Sequence, residues 1–265
     1  MKICVLIKEV PDASAPRRID PATRRLQRGA SRRLSPYDAH ALEAALRLRE
    51  SGWTQVKEIV AVTMGPEAAS QTLHRAAALG ADRAVHVTDL RLAGSDANGT
   101  AYALAAALAR ERADLLLTGQ QSDDGQCFVV PAAIAAHLGM ACVTQATRIG
   151  EAGDRTLRIE RQGDSGNETL DVALPAVISV TESINEPRYP SLQGIVGAKS
   201  KPREVLSADD LKLDVDRVGQ QSARAECFAF AEPAERPPAR VIEDGDPAAA
   251  VAEILRWFES RGVAP

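Results

Sequence analysis

The chain has 265 residues, of which 45% are hydrophobic and 26% are charged, and its net charge at pH 7 is −4. This composition is ordinary for a globular protein, and the acidic balance opposes general nucleic-acid binding, which requires a basic surface. The N-terminal apolar run ends at Lys8, too early for a signal peptide, and no segment is long enough to span a membrane, so we expect a cytoplasmic protein.

Short apolar runs alternate with helical segments through the first half of the chain. Ser35 is expected to cap the first helix with its hydroxyl, since Pro36 follows at the first helical position. In chain order the sequence predicts a strand at 2–7, an arginine-rich loop or excursion at 11–33, a helix at 36–51, a strand at 58–64, a helix ending at Leu79, a strand at 84–88, a helix at 96–112, a strand at 114–119 and a helix from 125–128 to Gly139.

Strands that alternate with helices of this length indicate the α/β class, with a Rossmann-like parallel sheet that carries helices on both faces. Ligands of such sheets bind at the carboxyl ends of the strands, in the loops that lead into helices. Three segments should therefore meet at one rim of the sheet, namely residues 8–12, 63–67 and 118–128.

The pattern changes after Gly139. Residues 148–174 alternate apolar and polar positions around Gly and Asp turns, which predicts β-hairpins, and 175–183 is one more buried strand. We therefore predict an α/β domain at 1–184 with a hairpin insertion at about 144–174.

The rest of the chain, 185–265, is predicted to be a long arm. Residues 185–239 have little periodicity, which is typical of a disordered segment or of an arm that orders against a partner. The arm ends in a helix at 247–261, and an orderly helix in this place favours an arm that docks. Its apolar face is expected to bury Ile254, Leu255 and Phe258.

The loop with the strongest ligand signal lies at 118–126 and reads Thr-Gly-Gln-Gln-Ser-Asp-Asp-Gly-Gln. Backbone N–H groups at a helix start bind phosphate, and Gly119 and Gly125 let a ligand approach the backbone. Asp123 and Asp124 would repel a phosphate, so their expected partner is a ribose hydroxyl or a backbone amide. The loop is neither a Walker A nor a G-x-G-x-x-G motif, and a polar capping turn explains it about equally well.

The sequence contains no set of residues that indicates catalysis or a metal site. The histidines fall on separate predicted elements with no nucleophile beside them, and the cysteines form no C-x-x-C pair. We expect the cysteines to be small buried apolar residues in a reducing compartment. They are Cys4, Cys127, Cys142 and Cys227.

Several blocks, in order along nearly the whole chain, resemble the electron transfer flavoprotein beta family, also called the ETF beta/FixA family. The blocks are 5–8 with Val10, 35–38 with the helix that follows, 62–66, 78–84, 118–124, the hairpin residues Arg161, Asp164, Glu168, Leu170 and Pro175, and 185–192.

The resemblance implies an adenine-nucleotide alpha-hydrolase-like fold and a heterodimer with an alpha-type subunit that carries the redox FAD. It also implies AMP in the cleft of this chain, or a second FAD in the electron-bifurcating branch, and a transient flavin dehydrogenase partner that contacts Leu192. The residues implied for nucleotide binding are Leu6, Ser35, Pro36, Tyr37, Asp38, Met64, Gly119, Gln120, Gln121, Ser122, Asp123, Asp124, Gly125, Gln126, Cys127, Phe128, Val129 and Val130.

Three functions remain open at this stage. The first is a carrier subunit without chemistry of its own, which shuttles electrons between dehydrogenases and an acceptor. The second is a bifurcating flavoprotein subunit whose second FAD reacts with NADH; Gly125 and Val130 resemble that branch, whereas Phe128, Val129 and Pro131 replace polar or small residues. The third is a stress-type nucleotide-binding module without a redox role, which the 185–192 block opposes.

Overall fold

The apolar runs form one nine-stranded sheet in the computed structural model, which describes residues 1–29, 31–52, 56–231, 234, 238–239, 241–242 and 245–263. In chain order the strands are β1 Lys2–Leu6, β2 Glu9–Pro11, β3 Arg18–Asp20, β4 Arg25–Gln27, β5 Arg32–Leu34, β6 Glu58–Met64, β7 Arg83–Val87, β8 Leu115–Gly119, β9 Ala141–Gly153, β10 Thr156–Gly163, β11 Gly166–Ala173, β12 Ala176–Val180 and β13 Arg203–Leu206. The sheet order is β11-β10-β9-β12-β8-β1-β6-β7-β13, while β2 pairs with β5 and β3 with β4 in two small ribbons.

Helices cover both faces of the parallel part of this sheet. Side chains alternate along a strand, so Ile3 and Val5 of β1 pack in one apolar cluster and Cys4 in another on the opposite face. The first cluster includes residues of the helices at 36–50 and 70–79, and the second includes residues of the helices at 97–111 and 130–138, so the predicted α/β architecture is confirmed. In the described ranges the helices are α1 Pro36–Glu50, α2 Ser70–Leu79, α3 Ala97–Glu111, α4 Val130–Leu138, α5 Leu192–Gly197 and α6 Pro247–Ser260.

The strands of the first half agree closely with the sequence. β1, β6, β7 and β8 begin and end within one residue of the predicted bounds, and they pair in parallel with their neighbours. Each is a short run of apolar, mostly branched residues with both faces buried, so the local pattern determines the element.

The predicted hairpins are antiparallel strands that extend the main sheet. β9 is long: its first part pairs in parallel with β12, and the rest pairs with β10, which pairs in turn with β11. At the opposite edge, β13 pairs in parallel with β7. Residues 203–206 therefore complete the sheet, although the sequence indicated only an irregular arm there.

The chain separates into two compact units, Met1–Phe228 and Ala229–Pro265. α6 forms within the second unit, as predicted, and Asp246 caps its start by accepting a hydrogen bond from the N–H of Ala248. The prediction that its apolar face is buried is wrong for the chain as described, since Ile254, Leu255 and Phe258 are all exposed. The docking of this arm on an alpha-type subunit stays a prediction.

The cysteines also differ from expectation. Cys4 is buried in β1, and burial raises the pKa of its thiol to about 12, which makes it inert. Cys127, Cys142 and Cys227 are exposed instead, because the segments that carry them lie at the surface.

Candidate functional site

Three chain segments meet at the carboxyl ends of β1 and β8, around the carboxylate of Asp38. The backbone N–H of Lys8 donates to Asp38 Oδ2 at 2.8 Å, and the N–H of Gly119 donates to Oδ1 at 3.3 Å. Asp38 thus links the start of α1 to the ends of two neighbouring strands. This is the rim that the parallel-sheet pattern predicted for a ligand.

Burial dominates the electrostatics of Asp38, whose residue surface is only 6% exposed. Desolvation raises the pKa of this carboxyl to about 7, although the N–H groups of Lys8 and Gly119 and the positive charge of Lys8 act in the opposite direction. The negative charge of Asp124 adds to the rise. A carboxyl at the rim therefore titrates near neutral pH.

Gly119 is required where it stands because α1 passes directly over it. A Cβ atom on this residue would lie 2.5 Å from Tyr37 Cβ and 2.7 Å from the backbone carbon of Tyr37. Backbone atoms at such distances cannot yield without moving the helix.

The substitution Gly119→Ala is expected to destabilise the protein by about 1–3 kcal/mol, the usual cost of overpacking a rigid site. The melting temperature should fall by roughly 5 °C, measured at one fixed protein concentration. Gly197→Ala is the matched control, because Gly197 has a helical φ of −67° and no atom near its Cβ position. The melting temperature of this variant should equal that of the wild type or be slightly higher. Equal effects of the two substitutions would contradict the close-approach argument.

The loop after β8 is a tight turn built on Ser122. Its hydroxyl oxygen accepts hydrogen bonds from Lys8 Nζ and from the N–H of Gly125, both at 3.1 Å. The N–H of Gln126 donates to the Ser122 carbonyl at 3.1 Å, and Gln121 Nε2 donates to the hydroxyl of Tyr37 at 3.0 Å. The loop and the start of α1 are thus joined by side-chain contacts.

Among the described residues the partners of the two loop aspartates are cationic side chains and not the expected backbone amides, while a contact with a ribose hydroxyl stays a prediction. Asp124 accepts from Lys8 Nζ at 2.7 Å and from Arg28 Nη2 at 2.8 Å. Asp123 accepts from Arg17 Nη2 at 3.1 Å and Arg33 Nη2 at 3.3 Å. The excursion before α1 supplies these arginines.

Asp124 is buried but ionised. Burial alone would raise the pKa of its carboxyl, yet the charges of Lys8 and Arg28 and the hydrogen bonds of Lys8 and Ser122 lower it to about 2. The carboxylate is therefore a permanent counter-ion that holds the excursion against the loop.

The helix after the loop starts later than predicted. Gln126 and Phe128 have φ angles of 47° and 58°, in the left-handed region, so α4 can begin only at Val130. No described residue accepts a hydrogen bond from the N–H groups of Cys127, Phe128 and Val129. These three backbone donors remain available to an anionic ligand.

Four buried polar side-chain atoms in these segments have no hydrogen-bond partner among the described residues, namely Ser35 Oγ, Thr63 Oγ1, Gln121 Oε1 and Arg33 Nε. Ser35 precedes α1 as predicted, but its hydroxyl makes no cap bond. Buried polar atoms are normally paired, so a concentration of unpaired ones fits a polar ligand at this rim.

Four of the predicted residues contribute apolar side chains at the same rim. Leu6 and Met64, at the ends of β1 and β6, are half-buried and pack against the cluster shared by α3 and α4. Phe128 and Val129 are exposed. Contacts of these four residues with a nucleotide stay a prediction.

The loop formed by residues 185–201 is anchored to the body of the chain at both ends. Near its start, Arg188 donates to Glu43 Oε2 at 2.7 Å and to Glu50 Oε1 at 2.6 Å, both on α1. At its end, Lys201 Nζ donates to two backbone carbonyls near the C-terminal end of α2, at 2.9 and 2.7 Å. The loop therefore has little freedom to move.

Between these anchors, α5 presents apolar side chains to solvent. Leu192 is 79% exposed, and Ile195 and Val196 are exposed beside it. Ser191 Oγ caps the helix by accepting from the N–H of Gly194 at 3.0 Å. Leu192 is thus a surface residue and not a core leucine beneath an arm.

Comparison with known proteins identifies the family of this chain. A model of the electron transfer flavoprotein domain matches residues 25–211. The chain is 38% identical over 258 residues to the electron transfer flavoprotein subunit beta of Mycobacterium leprae, covering 96% of this chain and 97% of that protein. The chain belongs to the electron transfer flavoprotein beta family.

Two further relatives carry other names. The caffeyl-CoA reductase-Etf complex subunit CarD of Acetobacterium woodii is 34% identical, with 89% of each chain covered. Protein FixA of Azorhizobium caulinodans is 35% identical, covering 97% of this chain and 94% of that protein. The matched range includes the start of α1, the loop after β8, the hairpins and the 185–201 loop, whereas β1, Lys8 and α6 lie outside it.

Sequence reasoning assigned no role to four cationic residues of this electron transfer flavoprotein beta-type chain, Lys8, Arg17, Arg28 and Arg33, although it placed residues 8–12 at the rim. The available signal was charge complementarity, since an excursion with seven arginines precedes a loop that carries two adjacent aspartates. Charge alone, however, does not reveal which of the seven arginines contact the loop.

Two cavities, of about 260 and 240 Å³, lie away from the rim, one beside 22–25 and 94–96 and the other beside 73–77 and 198–203. The assignment of the rim therefore rests on its polar geometry and not on an enclosed cavity. In the part of the chain that the structure describes, no group of three His, Cys, Asp or Glu residues could hold a metal ion. No helix within that part has the length and apolar character needed to cross a membrane.

Proposed function

We propose that this electron transfer flavoprotein beta-type chain binds an adenine nucleotide at the rim and forms a heterodimer with an FAD-carrying alpha-type subunit. The pair shuttles electrons between flavin dehydrogenases and an acceptor in the cytoplasm. The observation that carries the proposal is the similarity of almost the whole chain to a protein named electron transfer flavoprotein subunit beta.

The rim supports the nucleotide part of the proposal. The nucleotide is AMP, held by residues from the starts of α1 and α4 and from the loop between β8 and α4. Free N–H groups at 127–129 suit a phosphate, and the unpaired oxygens of Ser35, Thr63 and Gln121 suit a ribose or an adenine edge. The nucleotide is structural, and the redox FAD belongs to the partner subunit.

Two surfaces support the partner part of the proposal. The exposed apolar face of α6 docks on the alpha-type subunit, because an amphipathic helix without a covered face needs a partner. Leu192, on the anchored 185–201 loop, contacts the transient dehydrogenase. An exposed apolar side chain on an anchored loop is suited to a small, transient interface.

The test is a cofactor count on the chain co-expressed with its alpha-type neighbour. The purified complex is denatured, and the released nucleotides are separated and quantified. One FAD and one AMP per heterodimer are expected. A complex that forms without any FAD would overturn the proposal.

A second candidate function is that of an electron-bifurcating subunit, whose rim holds a second FAD that oxidises NADH. The loop residue Gly125 and the first residue of α4, Val130, favour it, because both resemble that branch. Two FAD and no AMP per heterodimer, with bleaching of the flavin absorbance by NADH, would support this enzyme. Flavin that NADH does not bleach, together with bound AMP, would exclude it.

A further inference from the structure

The arginine-rich excursion at 11–33 contacts the loop after β8 through arginine side chains that have unused hydrogen-bond donors. Arg17 and Arg33 both contact the same carboxylate oxygen, Asp123 Oδ2. A guanidinium has five N–H donors, so each arginine has more donors than these contacts use. Arg33 Nε is buried without a partner among the described residues.

The charges around the loop do not balance. Direct ion pairs join four cations, Lys8, Arg17, Arg28 and Arg33, to two carboxylates, so these six groups carry a net charge of +2. Two further carboxyls lie close by: Asp12 is near Arg33, and Asp38, whose pKa is raised to about 7, is near Lys8. The excess is notable in a chain whose total charge is −4. A cluster of this sign next to free backbone N–H groups attracts a dianion.

The two carboxylates are not equivalent. Asp124 has a side chain only 2% exposed and contacts Lys8 and Arg28, so it is part of the folded framework. The side chain of Asp123 is 23% exposed, and the side chains of Arg17 and Arg33 are 40% and 29% exposed. Its ion pairs are accessible to solvent and therefore exchange more easily for another anion.

We infer that Arg17 and Arg33 form a subsite for a dianionic phosphate group, and that Asp123 is an internal competitor which the phosphate displaces. The inference rests on the proposed nucleotide binding and identifies which side chains supply the charge. Phe128 and Val129, which follow the loop, have apolar side chains, so the excursion provides side-chain donors that this segment lacks. The phosphate is the monoester of AMP or the pyrophosphate of FAD.

The test uses the full heterodimer, depleted of nucleotide, and titrates AMP, FAD and adenosine separately. The double variant Arg17→Gln/Arg33→Gln should bind the phosphate-bearing ligand at least about tenfold more weakly, because it loses charge-assisted hydrogen bonds. Its affinity for adenosine, which has no phosphate, should be unchanged. Whichever of AMP and FAD the wild-type complex binds more tightly identifies the source of the phosphate.

The variant Asp123→Asn tests whether Asp123 competes with the phosphate or only stabilises the loop. Removing the competing carboxylate should tighten phosphate binding by about threefold or more, since the net charge of the cluster rises. A residue that merely stabilised the loop would weaken binding when replaced. The control for the arginine substitutions is Arg18→Gln, which removes one positive charge from an exposed neighbour of Arg17 and should leave the affinities for AMP, FAD and adenosine unchanged.

The outcomes distinguish this inference from the proposed function. A wild-type heterodimer that binds neither AMP nor FAD would overturn the nucleotide proposal itself. A wild type that binds, with equal affinity in the double variant, would overturn the subsite alone. Weaker binding in Asp123→Asn, or an equal loss for adenosine and AMP in the double variant, would also overturn it.

Discussion

Replacing Leu192 by alanine is expected to slow electron transfer from a flavin dehydrogenase to the heterodimer by about thirtyfold at low dehydrogenase concentration. Truncation of an interface hot spot costs about 2 kcal/mol, and each 1.4 kcal/mol corresponds to a factor of ten. The flavin content and its spectrum should be unchanged, because Leu192 lies on the surface and its side chain supports no part of the fold.

The size of this effect depends on the rigidity of the loop around Leu192. Arg188 ties the loop to two carboxylates of α1, and Lys201 ties it to the end of α2. A loop whose backbone is already anchored loses little conformational entropy on contact. The loss should therefore appear as a weaker apparent affinity for the dehydrogenase, with the maximal rate nearly preserved.

The chain offers a matched control in Leu90, which is 94% exposed and lies in a different segment. Leu90→Ala removes the same atoms from the surface and should leave the transfer rate unchanged. The measurement is flavin reduction by a dehydrogenase that reduces the wild-type complex, followed over a range of dehydrogenase concentrations. Equal rates for the two variants would contradict a recognition role for Leu192.

Asp38→Asn is expected to change how the stability of the protein depends on pH. The pKa of Asp38 is raised to about 7 in the folded chain and is near 3.8 for a free side chain. The folded state therefore holds a proton that the unfolded state releases, so the Asp38 contribution is fully present below about pH 4 and is lost as pH rises towards 7. The loss amounts to at most about 4 kcal/mol, since one pKa unit corresponds to 1.36 kcal/mol.

The asparagine variant removes this titration but adds a constant cost. Asparagine has one side-chain oxygen, so only one of the N–H groups of Lys8 and Gly119 keeps its acceptor, at a cost of about 1–3 kcal/mol. The variant should be less stable than the wild type at pH 4.5, and the difference should close or reverse by pH 8. Melting temperatures at fixed protein concentration across this range measure it.

Asp154→Asn is the control for this experiment, because Asp154 is exposed in the turn between β9 and β10. Its melting temperature should follow that of the wild type at every pH. A constant difference between Asp38→Asn and the wild type from pH 4.5 to pH 8 would show that Asp38 is ionised throughout. The burial argument would then be wrong.

The sequence was sufficient for the central architecture because its elements follow from local patterns. β6 is a run of seven residues whose interior is buried on both faces, and its bounds at 58–64 follow from composition alone. β13 could not be found in this way. Its four residues include Arg203 and Glu204, and only pairing with β7 makes them a strand.

The rim itself was predicted, but its electrostatics were not. The position of the site at the ends of β1 and β8 follows from the parallel sheet, and its loop residues follow from the resemblance to the family. The cations that pair with Asp123 and Asp124 are 90 to 116 residues away in the chain, so no local pattern connects them. Likewise, no composition rule predicts that Phe128 takes a left-handed backbone and delays α4.

The exposed face of α6 has a consequence for synthesis of the subunit in the cell. Val251, Ile254, Leu255, Trp257 and Phe258 are all open to solvent in the single chain, and apolar surface of this kind promotes aggregation. Chains made in excess over the alpha-type subunit would adhere to one another before meeting it. With α6 docked on the alpha-type subunit as proposed, production of the two subunits at matched rates would keep this apolar face covered.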